Sequence, residues 1–171
     1  MSGDPLEFDP IREGRRLWEM HWGDEKSAEM FAVTSIMRAH QLLLTQLNRI
    51  LQPYGLTFAR YEALMVLTFS RRGSLPLGKL GSRLQVHPTS VTNIVDRLEA
   101  AGLVERVPHA SDRRATEAAI TRAGRDVGQQ ATRALQDEFS LPGLDELDLE
   151  DMTERIARLR LGYGDYEPPA A

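Results

Sequence analysis

LPLGKLGSRLQVHPTSVTNIVDRLEAAGLVERVPHASDRRATEAAIT, residues 75–121, decides the fold by the order of its features. A short apolar run, Leu75-Pro76-Leu77, opens it. Leu77, Leu80 and Leu84 then recur at helical spacing. Gln85-Val86-His87 makes a tight turn, and Pro88 follows as the first residue of a second helix. Proline is tolerated there because that N–H has no helical partner in any case. Gly102 is suited to the left-handed stop of this helix. An alternating strand over 104–107, a polar arginine-rich turn over 109–114 and a return strand over 115–120 complete the unit. The reading is a helix-turn-helix followed by a β-hairpin wing.

The second helix has a distinct outer face. Val91, Ile94, Val95 and Leu98 fall on one arc of the helical wheel. Thr89, Asn93 and Asp96 lie opposite the centre of that arc, flanked by Ser90, Thr92 and Arg97. Short hydroxyl and amide side chains let a helix approach base edges in a DNA groove, and Asn can pair with adenine. The ordinary alternative, a solvated polar face, does not account for the helix, turn and basic hairpin arranged around it. Thr89, Ser90 and Asn93 are therefore expected to read bases. Lys79, Arg83 and Arg97 are expected to touch phosphate. Thr92 belongs to the same surface, and His87 is expected to cap the helix or meet DNA.

Charge supports that placement. Net charge is −4, but residues 71–114 carry eight Lys/Arg against four Asp/Glu. The acidic excess lies elsewhere, most of it after residue 115. Positive charge is concentrated where a polyanion would be met.

Residues 56–125 resemble the MarR family of bacterial transcription regulators. The resemblance runs through Leu56-Thr57, Tyr61-Glu62-Ala63-Leu64 and the helix-turn-helix. It continues through the stretch 96–106 (DRLEAAGLVER), then Ser111-Asp112-Arg113-Arg114 and Thr121-Arg122-Ala123-Gly124. It implies a homodimer whose terminal helices intertwine and whose two recognition helices meet an inverted-repeat operator in double-stranded DNA. It also implies that the wing tip enters the minor groove through Arg114 or Arg113, with Asp112 placed to brace an arginine by a charge-assisted hydrogen bond. A pocket for a small aromatic or anionic effector is implied between the dimerisation helices and the DNA-binding lobe. Arg38, Tyr54, Phe58 and Tyr61 are its candidate lining. The return strand, Ala115-Thr116-Glu117-Ala118-Ala119-Ile120, departs from the family pattern by its small residues and lack of cations. A subgroup that senses urate adds a Trp-bearing first helix, but Ile94 stands where that subgroup has arginine.

The flanks read as helices. Periodic apolar residues predict one over 27–51 and another over 58–69. Thr121 is a fitting N-cap for a third, reaching about residue 139 before Pro142-Gly143, and a last helix runs over 144–161. Residues 10–22 (PIREGRRLWEMHW) form an extra first helix, and residues from 163 onward read as a frayed tail. The fold expected is mainly α with a small β-hairpin wing, a winged helix-turn-helix plus terminal helices forming a dimerisation module. Its parts are an N-terminal extension and dimerisation helix (1–52), the DNA-binding lobe (53–121), and C-terminal dimerisation helices with a tail (122–171).

The composition excludes several classes. There is no cysteine, so neither disulfide nor thiol chemistry applies. No apolar run is long enough to span a membrane, and the N-terminus lacks the pattern of a secretory signal. A cytoplasmic bacterial protein is expected. His21, His40, His87 and His109 show no metal spacing, and no cofactor motif or catalytic constellation is present. An enzyme is not expected. The competing reading is a winged helix that docks protein and has no operator. Adjacent arginines at the wing tip argue for DNA.

Overall fold

The computed structural model describes residues 6–108 and 116–167. It resolves into two compact units, residues 1–139 and 140–171. In the first, α1 (Pro10–Trp22) packs on α2 (Ser27–Leu51). A 3-10 turn (Gln52–Tyr54) leads to α3 (Phe58–Thr68), β1 (Ser74–Pro76), α4 (Leu77–Leu84) and α5 (Pro88–Ala100). β2 (Val104–Pro108), β3 (Thr116–Ile120) and α6 (Arg122–Glu138) follow. The second unit contains α7 (Glu146–Gly162).

The ends of these elements follow local chemistry. Asp9 caps α1 by accepting from the Ile11 N–H at 2.9 Å, with Pro10 in the first turn. His87 caps α5, its Nδ1 accepting from the Thr89 N–H at 3.3 Å. Asp145 and Asp148 form a capping box at the start of α7. Residues 163–166 were expected to fray, but they fold back on that helix instead. Arg160 pairs with Asp165 at 2.6 Å, and the Tyr166 hydroxyl donates to the Ala157 carbonyl at 3.2 Å.

The sheet contains more than the expected hairpin. Its order is β1-β3-β2, all antiparallel, with Leu75 opposite Ala118. Leu75 points into the core and recruits this short stretch as an edge strand. Pro76 has no N–H to pair, which an edge position tolerates. Beneath the sheet lies one core of Leu51, Leu56, Leu64, Leu67, Leu80, Val91, Val95, Leu98, Val104 and Ile120. It joins α2 and α3 to the helix-turn-helix, so α5 is mounted on the body of the unit. Among the described residues, no helix is long and apolar enough to cross a membrane.

Candidate nucleic-acid interface and adjoining groove

α5 turns Val91, Val95 and Leu98 inward, with Ile94 half-buried beside them. Thr89, Ser90, Thr92, Asn93, Asp96 and Arg97 are exposed, as the wheel requires. The Thr92 hydroxyl is turned back onto the Pro88 carbonyl at 3.2 Å. Ser90, Asn93 and Arg97 have no side-chain partner among the described residues, so their donors and acceptors are free for a ligand. Lys79 and Arg83 are exposed on α4 and likewise unpaired among the described residues. Gly81 lets α4 cross α5 closely, since a Cβ there would stand 2.8 Å from Val91 Cγ2. That approach sets the depth at which α5 projects. Asp112, Arg113 and Arg114 lie outside the described residues.

Asp96 is not a free member of the outer face. Arg106 on β2 donates from Nη2 to Asp96 Oδ1 at 2.6 Å and from Nη1 to Glu99 Oε2. The Arg106 N–H also reaches Glu99 Oε1 at 3.2 Å. In the sequence Arg106 stood out as part of an alternating strand, of the 96–106 stretch and of the basic region, with no partner assigned to it. A signal was present, because a cation on the side of β2 that carries buried Val104 needs carboxylates opposite.

A second feature lies between α3 and α6. A groove of about 800 Å³ is lined by Phe58, Tyr61, Glu62 and Met65 on one side. Arg125, Gln129, Thr132 and Arg133 line the other. Asn48 Oδ1 fixes the start of α3 by accepting from the Phe58 N–H at 2.7 Å. The Phe58 and Tyr61 rings stack with centroids 6.3 Å apart, and Tyr61 Oη lies 3.0 Å from Thr132 Oγ1. Partial burial raises the Glu62 carboxyl above its ordinary range. Arg125 and Arg133 have no ion-pair partner among the described residues. Of the expected pocket residues, the structure brings together Phe58 and Tyr61. Tyr54 packs against the core, and Arg38 is exposed on α2 beside Gln41, so neither lines this groove. The α6 residues were missed because they lie some seventy positions away in the chain.

Among the described residues, no group of three or more His, Asp or Glu could hold a metal ion.

Comparison with known proteins agrees with this geometry. The model of the family described as MarR matches residues 56–116. The HTH-type transcriptional regulator MhqR of Bacillus subtilis is 30% identical over 141 residues, 80% of this chain and 93% of its own. The crystal structure of Sco5413, a MarR family transcriptional regulator from Streptomyces coelicolor, is 48% identical. It superposes with a TM-score of 0.76 over 82% of this chain and 99% of its own. Sco3205, a MarR family transcriptional regulator from the same organism solved in complex with DNA, is 26% identical. Its TM-score is 0.66 over 83% of this chain and 93% of its own.

Proposed function

The chain belongs to the MarR family of transcription regulators, and from that premise we propose that it binds duplex DNA sequence-specifically through α5. The observation that carries this reading is the free outer row Thr89, Ser90 and Asn93, bordered by the unpaired cations Lys79, Arg83 and Arg97. The row supplies short groups for base edges. The cations supply charge for phosphate, which fixes register without reading sequence. Selection from a random duplex library tests it. Enrichment of an inverted repeat is expected, and recovery of no sequence preference would overturn it.

The reading includes a homodimer. Leu17, Met20 and Trp22 on α1, Val33, Ile36 and Met37 on α2, and Leu147, Ile156 and Leu159 on α7 are exposed. Exposed apolar surface of that kind is unusual on a monomer. A second copy covers it in our proposal, with residues 1–52 and 122–171 serving dimerisation and 53–121 serving DNA. Two recognition helices then enter successive major grooves, about 34 Å apart. The full chain is expected to sediment as a dimer at micromolar concentration. A chain lacking residues 144–171 is expected to be monomeric and to lose tight DNA binding. A monomeric full chain would refute the arrangement.

The groove between α3 and α6 is proposed as the effector site. Its stacked aromatic floor suits a ring, and Arg125 and Arg133 suit a carboxylate. Such a ligand shifts DNA binding only if it prefers one arrangement of the lobes. Glu62 opposes an anion there. Its carboxyl is raised in the fold, so ionising it as pH rises costs stability, and protonating it as pH falls favours both fold and ligand. Calorimetry with substituted benzoates is expected to show binding that Phe58→Ala weakens. Glu62→Gln is expected to tighten it by about fivefold, the scale of one partly exposed charge. Equal affinity of parent and Glu62→Gln would remove Glu62 from the site.

A further inference from the structure

Asp96 sits one turn beyond Asn93 on the outer row of α5, and Glu99 follows one turn later. Two carboxylates on the helix that meets a polyanion are a liability, since each is repelled by phosphate. Both are held by one guanidinium, which comes from outside α5. The Gly102 turn, with its positive φ of 69°, reverses the chain so that β2 runs back beside α5. Val104 faces the core, and Arg106, two residues on, comes to lie against the helix. Its side chain is 26% exposed, against 56% for Asp96 and 40% for Glu99. The arginine is thus the more sheltered partner, spread across both acids instead of projecting to solvent.

We propose that Arg106 is a positioning residue for DNA binding, screening Asp96 and Glu99 and locking α5 to the wing strand. This rests on α5 being the DNA-contacting helix. The fork of a guanidinium suits the task, because its two terminal nitrogens engage two carboxylates at once in fixed geometry. Clamped, the trio carries a net charge of −1. Without Arg106 it carries −2, with both carboxylates free to swing towards phosphate. A backbone bond from the Arg106 N–H to Glu99 adds a second tie between the same strand and helix. The roll of α5 relative to the wing is therefore set at two points on Glu99 and one on Asp96. The exposed row of which Asn93 is a member is presented from that clamped frame.

The test separates screening from direct contact. Binding to a mixed-sequence duplex is measured over a salt series for the parent, Arg106→Gln, and the triple variant Arg106→Gln with Asp96→Asn and Glu99→Gln. Arg106→Gln is expected to bind about tenfold more weakly, within the range of coupled charged neighbours. The triple variant is expected to recover to within about threefold of the parent, with the parent's dependence on salt. A direct phosphate contact gives the opposite pattern. The triple variant would stay weak, and its slope of log affinity against log salt would fall by about one unit. That result overturns the proposal, as does full affinity in Arg106→Gln. The triple variant leaves no unpaired charge in the trio, so it keeps the test sound if the single variant loses its fold. A parent with no salt-dependent affinity for duplex DNA would instead overturn the DNA-binding reading itself.

Discussion

Replacing Gly124 with alanine is expected to lower the thermal midpoint by about 4–8 °C, although helix propensity alone forecasts a gain. Alanine is favoured over glycine inside a helix by up to about 1 kcal/mol. At this position the methyl has no room. A Cβ on Gly124 would stand 2.1 Å from the Leu103 carbonyl oxygen and 2.9 Å from Ile120 Cγ1. The first of these is backbone and is engaged by the Thr121 N–H at 3.1 Å, so it cannot turn aside. Thr121 draws the two segments together. Its Oγ1 donates to the Gly102 carbonyl at 2.8 Å and accepts from the Gly124 N–H at 2.9 Å. Overpacking costs about 1–3 kcal/mol and occasionally more, and a backbone neighbour puts this site at the upper end. After the propensity gain, roughly 2 kcal/mol of destabilisation remains, at about 2–4 °C per kcal/mol for a chain of this length. Gly14→Ala in α1 is the control. Nothing lies within 4 Å of its Cβ, so there the propensity gain should appear. Thermal unfolding of both variants at one protein concentration decides the matter. A midpoint for Gly124→Ala at or above the parent's would mean that α6 does not start against the α5–β2 turn.

That site also shows what sequence can carry. Thr121-Arg122-Ala123-Gly124 was legible as a pattern, with Thr121 read as the cap of a helix, and the structure places that cap there. The reason for glycine three residues later was not legible, because its neighbour Leu103 lies twenty-one positions earlier and meets it only after the sheet forms. The helices of the flanks were readable from local signals. Pro10 fits the first turn of α1, and the next proline after it, Pro53, lies beyond the end of α2. β1 was not readable as a strand. It is three residues long, contains proline, and is defined by pairing with β3 across more than forty residues. The groove follows the same rule. Phe58 and Tyr61 were chosen as lying where the dimerisation helices should meet the lobe, while Thr132 and Arg133, which line the same groove, carry no local mark in the sequence. Arg38 and Tyr54 were chosen on the same ground, as lying where the dimerisation helices should meet the DNA-binding lobe. Tyr54 is half-buried and packs against the core, outside the groove.

Asn93→Ala should weaken binding to the cognate operator by about 1–3 kcal/mol and relax the preference at one base pair of each half-site. The side chain is exposed on the outer row of α5 and has no partner in the described protein, so its amide reaches DNA uncommitted. One carbonyl and one amino group on a short stem match the donor and acceptor that adenine shows in the major groove. Alanine keeps the helix and removes only that pair, so the loss falls on sequences that present it. Arg97 lies one turn further along, also unpaired, with a long stem and a permanent charge. Its proposed contact is with phosphate, which every sequence offers. Arg97→Ala should therefore weaken all duplexes alike and lower the salt slope by about one unit. The two variants differ in kind as well as in size. For Asn93→Ala, affinity for a scrambled duplex stays at the parent's level while affinity for the operator falls towards it. For Arg97→Ala, both fall together and their ratio is kept. Competition binding against operators substituted one base pair at a time separates the patterns. If Asn93→Ala leaves affinity and preference unchanged at every position, the outer row of α5 does not face the bases, and the reading of this helix fails with it.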